Sequence, residues 1–160
     1  MINEFINWLI ENKWKVVLND VKYDTSGNEV LNKYQHLPDE VIHLLEKCKC
    51  VESNDETTWF LCGEDYNYES DDAFKWNEFE LMSLEAAHDD EEWKKYILDW
   101  WNDKLPIILS VRDGYLFYAI DMGNNGVIVK GAEPEFENTI VVADSYDEFI
   151  KKVMDKTIEL

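Results

Sequence analysis

What this 160-residue chain has least of is positive charge. Fifteen Lys and Arg stand against 35 Asp and Glu, for a formal net charge of -20. A surface of that sign repels phosphate backbones and anionic lipid headgroups, which excludes nucleic acid and membrane as partners. It attracts the opposite sign, so a basic protein would be steered toward it. Solubility alone is the other use of such a charge. Cysteine is scarce too. Cys48, Cys50 and Cys62 make an odd count without the spacing of a disulfide framework, which points to free thiols in a reducing cytoplasm. No apolar run approaches the roughly 20 residues of a membrane-spanning helix. The apolar start, Met1 to Ile10, carries Glu4 and Trp8 and lacks the basic head and small-residue cleavage site of a secretory signal. Repeats, low-complexity tracts and linkers are missing. So are G-x-x-x-x-G-K, G-x-G-x-x-G and G-x-S-x-G, which leaves phosphate cradling and nucleophile-elbow chemistry without support.

What is present is a core. The composition is 46% hydrophobic and 14% aromatic, which specifies a folded chain of one domain, residues 1–160, and not an acidic tail. Ile2, Phe5, Ile6, Leu9 and Ile10 recur at helical spacing over Met1 to Glu11. Trp14 to Leu18 continues that helix or forms a short strand. A second helix opens at Leu37-Pro38, with Asp39 and Glu40 in its first turn and a buried stripe of Val41, Leu44, Leu45 and Cys48. Strands are expected near Cys48–Ser53 and Thr57–Cys62. Phe74 to Leu84 alternates irregularly, with Phe79, Leu81 and Leu84 as its packing residues. Asp89 and Glu92 have capping-box spacing for a helix that presents Trp93, Tyr96, Ile97, Trp100 and Trp101. At helical spacing such a stripe is core, although Trp100 and Trp101 point about 100° apart and one of them is free to face a groove or partner. Strands near Val127–Lys130 and Thr139–Ala143 precede a last helix. That helix is capped by Ser145 with Glu148 and buries Tyr146, Phe149, Ile150 and Val153.

The most ordered phrase is "LPIILSVRDGYLFYAIDM", Leu105 to Met122. Asp-Gly between two β-prone runs is a strong hairpin signal, because a two-residue type I′ turn needs both residues at φ > 0. With Asp113 and Gly114 as the turn, one face carries Val111/Leu116, Leu109/Tyr118, Ile107/Ile120 and Leu105/Met122. Arg112/Tyr115, Ser110/Phe117, Ile108/Ala119 and Pro106/Asp121 make a mixed second face. Helices at the start, middle and end, with hairpin-joined strands between, read as α+β with an antiparallel or mixed sheet centred on residues 105–122.

Acid is concentrated. Residues 52–92 hold fifteen Asp and Glu and a single base, Lys75, interleaved with Trp59, Tyr66, Tyr68 and Trp76. Carboxylates among exposed aromatics suit an interface that caps a basic groove. The plainer alternative is a solvated face over core aromatics. The candidate partner-binding residues are Glu64, Asp65, Tyr66, Tyr68, Glu69, Asp71 and Asp72; Asp89, Asp90, Glu91 and Glu92 serve a helix N-terminus. Paired carboxylates as in a glycosidase are no signal here, since 35 acids form pairs by chance. Cys48, Cys50 and Cys62 with His43 lack the two-residue gaps of zinc sites, and alternation puts Cys48 and Cys50 on one strand face as small buried hydrophobes. No catalytic residue, metal or cofactor is expected.

Four phrases together resemble the SMI1/KNR4 (SUKH) superfamily: "HLPDEVIHLLEKC", "FELMSLEAA", "KLPIILSVRDGYLFYAIDM" and "VVADSYDEFIKKV". Where the family commonly has an Asn-Gly or Gly-Gly turn after its Leu-Pro helix, this chain has Lys47-Cys48-Lys49-Cys50. The resemblance spans roughly residues 1–155, close to one whole domain. It implies a non-enzymatic, helix-flanked sheet domain. In bacteria that means an immunity protein, here a cytoplasmic monomer that neutralises a basic, nuclease-type toxin domain by occluding its groove. The alternative it implies is a regulatory scaffold of the cell-wall-assembly type, binding a cellular protein.

Overall fold

The structure is a computed structural model that describes residues 1–69 and 71–160. Among these, helices α1 (Ile2–Glu11), α2 (Glu29–Asn32), α3 (Asp39–Lys47), α4 (Glu78–Ala87), α5 (Glu91–Trp101) and α6 (Tyr146–Met154) flank seven strands. The strands are β1 (Lys15–Leu18), β2 (Cys48–Glu52), β3 (Thr58–Phe60), β4 (Lys104–Ser110), β5 (Leu116–Asp121), β6 (Val127–Ala132) and β7 (Ile140–Ala143). They form one antiparallel sheet in the order β1-β2-β3-β4-β5-β6-β7. Every neighbour in the sheet is a neighbour in sequence; α2 and α3 lie between β1 and β2, α4 and α5 lie between β3 and β4, and α1 and α6 precede and follow the strands. This is the expected α+β sheet, with the 105–122 hairpin at its centre.

The sheet is covered on both faces. Successive strand residues point to opposite sides. Phe60 and Tyr118 meet Phe5 of α1 and Phe149 of α6. Their neighbours Trp59 and Phe117 meet Phe74, Phe79 of α4 and Trp101 of α5 on the other side. α1, α3 and α6 contact one another on the first face. The apolar stripes explain the placement: Ile2, Phe5, Ile6 and Leu9 of α1, Val41, Leu44 and Leu45 of α3, and Tyr146, Phe149, Ile150 and Val153 of α6 are all buried. Ile10, expected in the first stripe, is exposed.

The hairpin register differs from expectation by one residue. Ser110 pairs with Leu116, Leu109 with Phe117 and Ile108 with Tyr118. The tip therefore spans Val111 to Tyr115, and only Gly114 in it has positive φ, at 88°. Tertiary contacts hold this wider tip open. Val111 N–H donates to Thr57 O at 2.8 Å, Arg112 reaches Asp55 and Thr57, and Tyr115 N–H donates to Glu133. Farther along, a bulge between Pro106 and Ile108 shifts the register again. Proline has no N–H to give the ladder, and a bulge is where a central strand tolerates it. Val111 and Leu116 end half-buried, while Ile108, Phe117 and Ala119 of the supposedly mixed face are wholly enclosed.

Two helices were hidden or displaced in the sequence. α4 buries Phe79, Ser83 and Ala87, one aromatic and two small residues, so its apolar stripe is faint; Leu81 is exposed and Leu84 half-buried. α5 is capped by Asp90, whose carboxylate accepts the Trp93 N–H at 2.9 Å, and not by Asp89. It buries only Ile97 and Trp101 of its expected face. Ser145 caps α6 as expected, while Glu148 takes the Asp144 N–H.

Cys48 and Cys62 are buried and Cys50 is partly open, all three free. Burial pushes the Cys48 thiol up to about 11 and the Cys62 thiol higher still. A thiol reagent should therefore count three thiols on denatured protein. On native protein Cys50 should react first, with Cys48 and Cys62 following only as fast as the fold opens. Rapid native labelling of Cys62 would contradict this packing. Among the described residues, no group of three or more His, Cys, Asp or Glu is placed to hold a metal ion. Among them, too, no helix is long and apolar enough to cross a membrane.

Candidate functional site

The acidic loop after β3 meets the loop after β1, and a groove of about 570 Å³ opens between them. Its floor is built by Asn28, which is 8% exposed. The Asn28 Oδ1 caps α2 by accepting the Leu31 N–H at 2.9 Å. Its Nδ2 donates across to Tyr66 O at 2.9 Å and Gly63 O at 3.2 Å, and to the Tyr23 hydroxyl at 3.0 Å. The Tyr23 hydroxyl in turn donates to Gly63 O at 3.0 Å. The Tyr23 ring lies so close over Gly63 that a Cβ there would come within 2.4 Å of it. Only glycine permits that approach. One asparagine thus ties two loops 35 residues apart.

The walls carry Glu29, Glu64, Asn67, Tyr68 and Glu69, and no Lys or Arg is among the lining residues. Glu64, Tyr68, Glu69, Asp71 and Asp72 are exposed. Tyr68 stands edge-on to Trp76, with 5.6 Å between ring centres. Burial raises the Tyr68 phenol, and Glu80 and Glu29 add to the rise. Burial likewise raises Glu80, with Lys33 opposing and Glu137 assisting.

Two of the seven candidate residues do not face outward. Tyr66 is 2% exposed, with its hydroxyl donated to Pro106 O at 2.7 Å. Its neighbour Trp76 is buried as well. Within this acidic stretch the core took Tyr66 and Trp76 and left Tyr68 open. Asp65 turns back on its own loop, where its Oδ2 accepts the Cys62 N–H at 2.6 Å. It stands at the edge of a second hollow of about 370 Å³, lined also by Lys49, Trp59, Asp72 and Phe74.

Burial raises the Asp65 carboxyl to about 6, opposed by the Cys62 N–H and reinforced by Asp72 and Glu64. An unfolded aspartate titrates near 4. Between about pH 4 and 6 the folded protein thus holds a proton there that the unfolded chain releases. Stability from this group is full below about pH 4 and is lost as pH rises through about 6. Asp65→Asn keeps an acceptor for Cys62 N–H and removes the charge. It should stabilise the protein by about 2 kcal/mol at pH 8 and by almost nothing at pH 4. Urea unfolding at pH 4, 6 and 8 checks this, and an equal effect at all three pH values would contradict it.

Tyr23, Asn28, Glu29 and Glu80 belong to this region and were not among the sequence candidates. Residues 24–28 read as a loop by composition, and nothing local says which distant loop they join. The arrangement can hold a cationic, hydrogen-bond-donating group between carboxylates and ring faces. Compared with family models, curated proteins and solved structures, the chain shows no match to any of the three.

Proposed function

We propose that this protein binds a basic protein domain through the groove and the adjoining 64–72 loop, as an immunity protein of the SMI1/KNR4 type neutralises a toxin. The observation that carries the reading is the groove itself: Glu29, Glu64 and Glu69 around a half-exposed Tyr68, on a chain of net charge -20. Focused negative potential speeds encounter with a basic surface, and an aromatic between carboxylates supplies desolvated contact. Inhibition is then occlusion of the partner's substrate groove, with no bond made or broken. The likeness of four ordered sequence phrases to that family supports the same reading.

The test has two stages. A partner is captured from host lysate by the wild-type chain, and co-expression must relieve any growth defect that the partner causes. Stopped-flow association is then measured across a salt series for wild type and Glu29→Gln/Glu64→Gln/Glu69→Gln. The triple variant should associate at least about tenfold more slowly at low salt. The difference should shrink toward 1 M salt, where the screening length is only about 3 Å. Equal association at every salt would return the acids to the role of a solvated face. A partner that causes no growth defect would favour the regulatory-scaffold alternative.

A further inference from the structure

Large aromatic side chains outside the acidic loop are also left in water. On α5, Trp93 is 46% exposed and Tyr96 54%, and Trp100 is only partly covered. At 3.6 residues per turn these three lie within about 60° of one another around the helix, while Ile97 and Trp101 turn inward. Exposed tryptophan and tyrosine in one stripe are the side chains that dominate protein interfaces. Asp89, Glu91, Glu92 and Asp99 are exposed on and just before the same helix. Of the three nearby bases, Lys94 is paired with Glu91 at 3.2 Å, Lys104 lies 3.1 Å from Asp121, and Lys95 is exposed. The stripe is therefore aromatic at its centre and acidic at its rim.

We propose that the Trp93, Tyr96 and Trp100 stripe of α5 is a docking surface for an arginine-bearing segment of a basic protein partner. The inference rests on the reading above and adds a second contact surface with its own chemistry. Charge selects the occupant. A second copy of this chain, also at -20, would bring acid against acid, and an anionic membrane is repelled for the same reason. One ring of the stripe already meets a cation within the molecule: Lys104 Nζ, 3.1 Å from Asp121, sits 4.7 Å from the centre of the Trp100 ring. The open faces of Trp93 and Tyr96 offer the same interaction to a cation from outside. Arginine is favoured over lysine because its planar guanidinium stacks on a ring while its N–H groups reach rim carboxylates.

The experiment uses the full chain with nona-arginine and nona-lysine peptides, which carry equal charge. Affinities are measured by titration calorimetry at low and moderate salt for wild type, Trp93→Ala/Tyr96→Ala, and Glu29→Gln/Glu64→Gln/Glu69→Gln. Urea midpoints confirm that each variant is folded. The stripe variant should bind nona-arginine at least tenfold more weakly and nona-lysine less than threefold more weakly. In the wild type, nona-arginine should shift the indole N–H resonance of Trp93, assigned among the seven tryptophans by its loss in the variant. Equal losses for the two peptides, or no loss, overturn the proposal. So does a wild-type dimer in sedimentation that the stripe substitutions abolish, since the occupant would then be a second copy. If the groove variant loses binding and the stripe variant does not, this inference fails and the groove reading stands. The reverse pattern sinks the groove reading and leaves the docking surface.

Discussion

Phe117→Ala is expected to cost about 3–5 kcal/mol of folding free energy, the largest loss of any substitution considered. Phe117 is fully enclosed, with Trp101 at 4.9 Å, Phe79 at 6.1 Å and Phe136 at 6.3 Å between ring centres. It is the ring on which α4, α5 and the segment after β6 converge. Its sheet neighbour is Gly131, where even a Cβ would come within 2.4 Å of the ring. That packing leaves the surroundings little freedom to collapse into the space, so the cavity term adds to the lost transfer energy. Phe117→Leu should cost less, about 1–2 kcal/mol, because most of the volume remains. Ile140→Ser, on the exposed edge strand β7, should change stability by no more than about 0.5 kcal/mol. Urea unfolding of the three variants, with unchanged denaturant slopes, gives the comparison. A loss under about 1 kcal/mol for Phe117→Ala would mean that the α4 and α5 layer is not packed on the sheet as described.

Asn28→Ala should cost about 2–4 kcal/mol and loosen the groove along with the fold. The substitution removes the α2 cap, leaving the Leu31 N–H without its acceptor. It also removes the side-chain donor to Tyr66 O in a buried place, whereas Gly63 O keeps the Tyr23 hydroxyl. Orphaned buried groups cost more than the hydrogen bonds themselves contribute. Asn28→Asp separates the two effects. It preserves the cap acceptor but sets a carboxylate against two carbonyl oxygens, so it should be no more stable than the alanine variant near neutral pH. Cleavage by a glutamate-specific protease gives a local readout. The 63–69 loop, with Glu64 and Glu69, should be cut faster in both variants than in wild type. Wild-type protease resistance in a folded Asn28→Ala would show that the groove does not depend on this residue.

Much of the fold was legible in the chain because it is written in short-range periodicity. The stripes of α1, α3 and α6, the cap at Ser145 and the strands after residue 48 follow from spacing alone, since an apolar face must be buried wherever it occurs. α4 escaped because Ser83 and Ala87 pack through small size and contribute little apolar signal. The acidic stretch was legible as a charge count, and five of its seven candidate residues do stand in water. Tyr66 and Asp65 could not be separated from them, because a tyrosine in a polar loop looks the same whether its hydroxyl meets solvent or a carbonyl 40 residues away.

The sequence by itself determined an α+β chain with a central antiparallel hairpin, a strongly negative surface and thiols outside any disulfide framework. These depend on composition and on contacts a few residues apart. Tertiary structure decided the hairpin register, which aromatics stay outside and which loops form the groove. The tip from Val111 to Tyr115 opened because Thr57, Asp55 and Glu133 bind it from other strands' loops. Trp93 and Tyr96 were left in water because one face of a helix can bury only what its neighbours have room to cover, and α5 spends that room on Ile97 and Trp101. Asn28 and Gly63 met because the sheet brings the ends of β1 and β3 to one side. No local pattern encodes that meeting, since it is the summed result of every strand pairing between them.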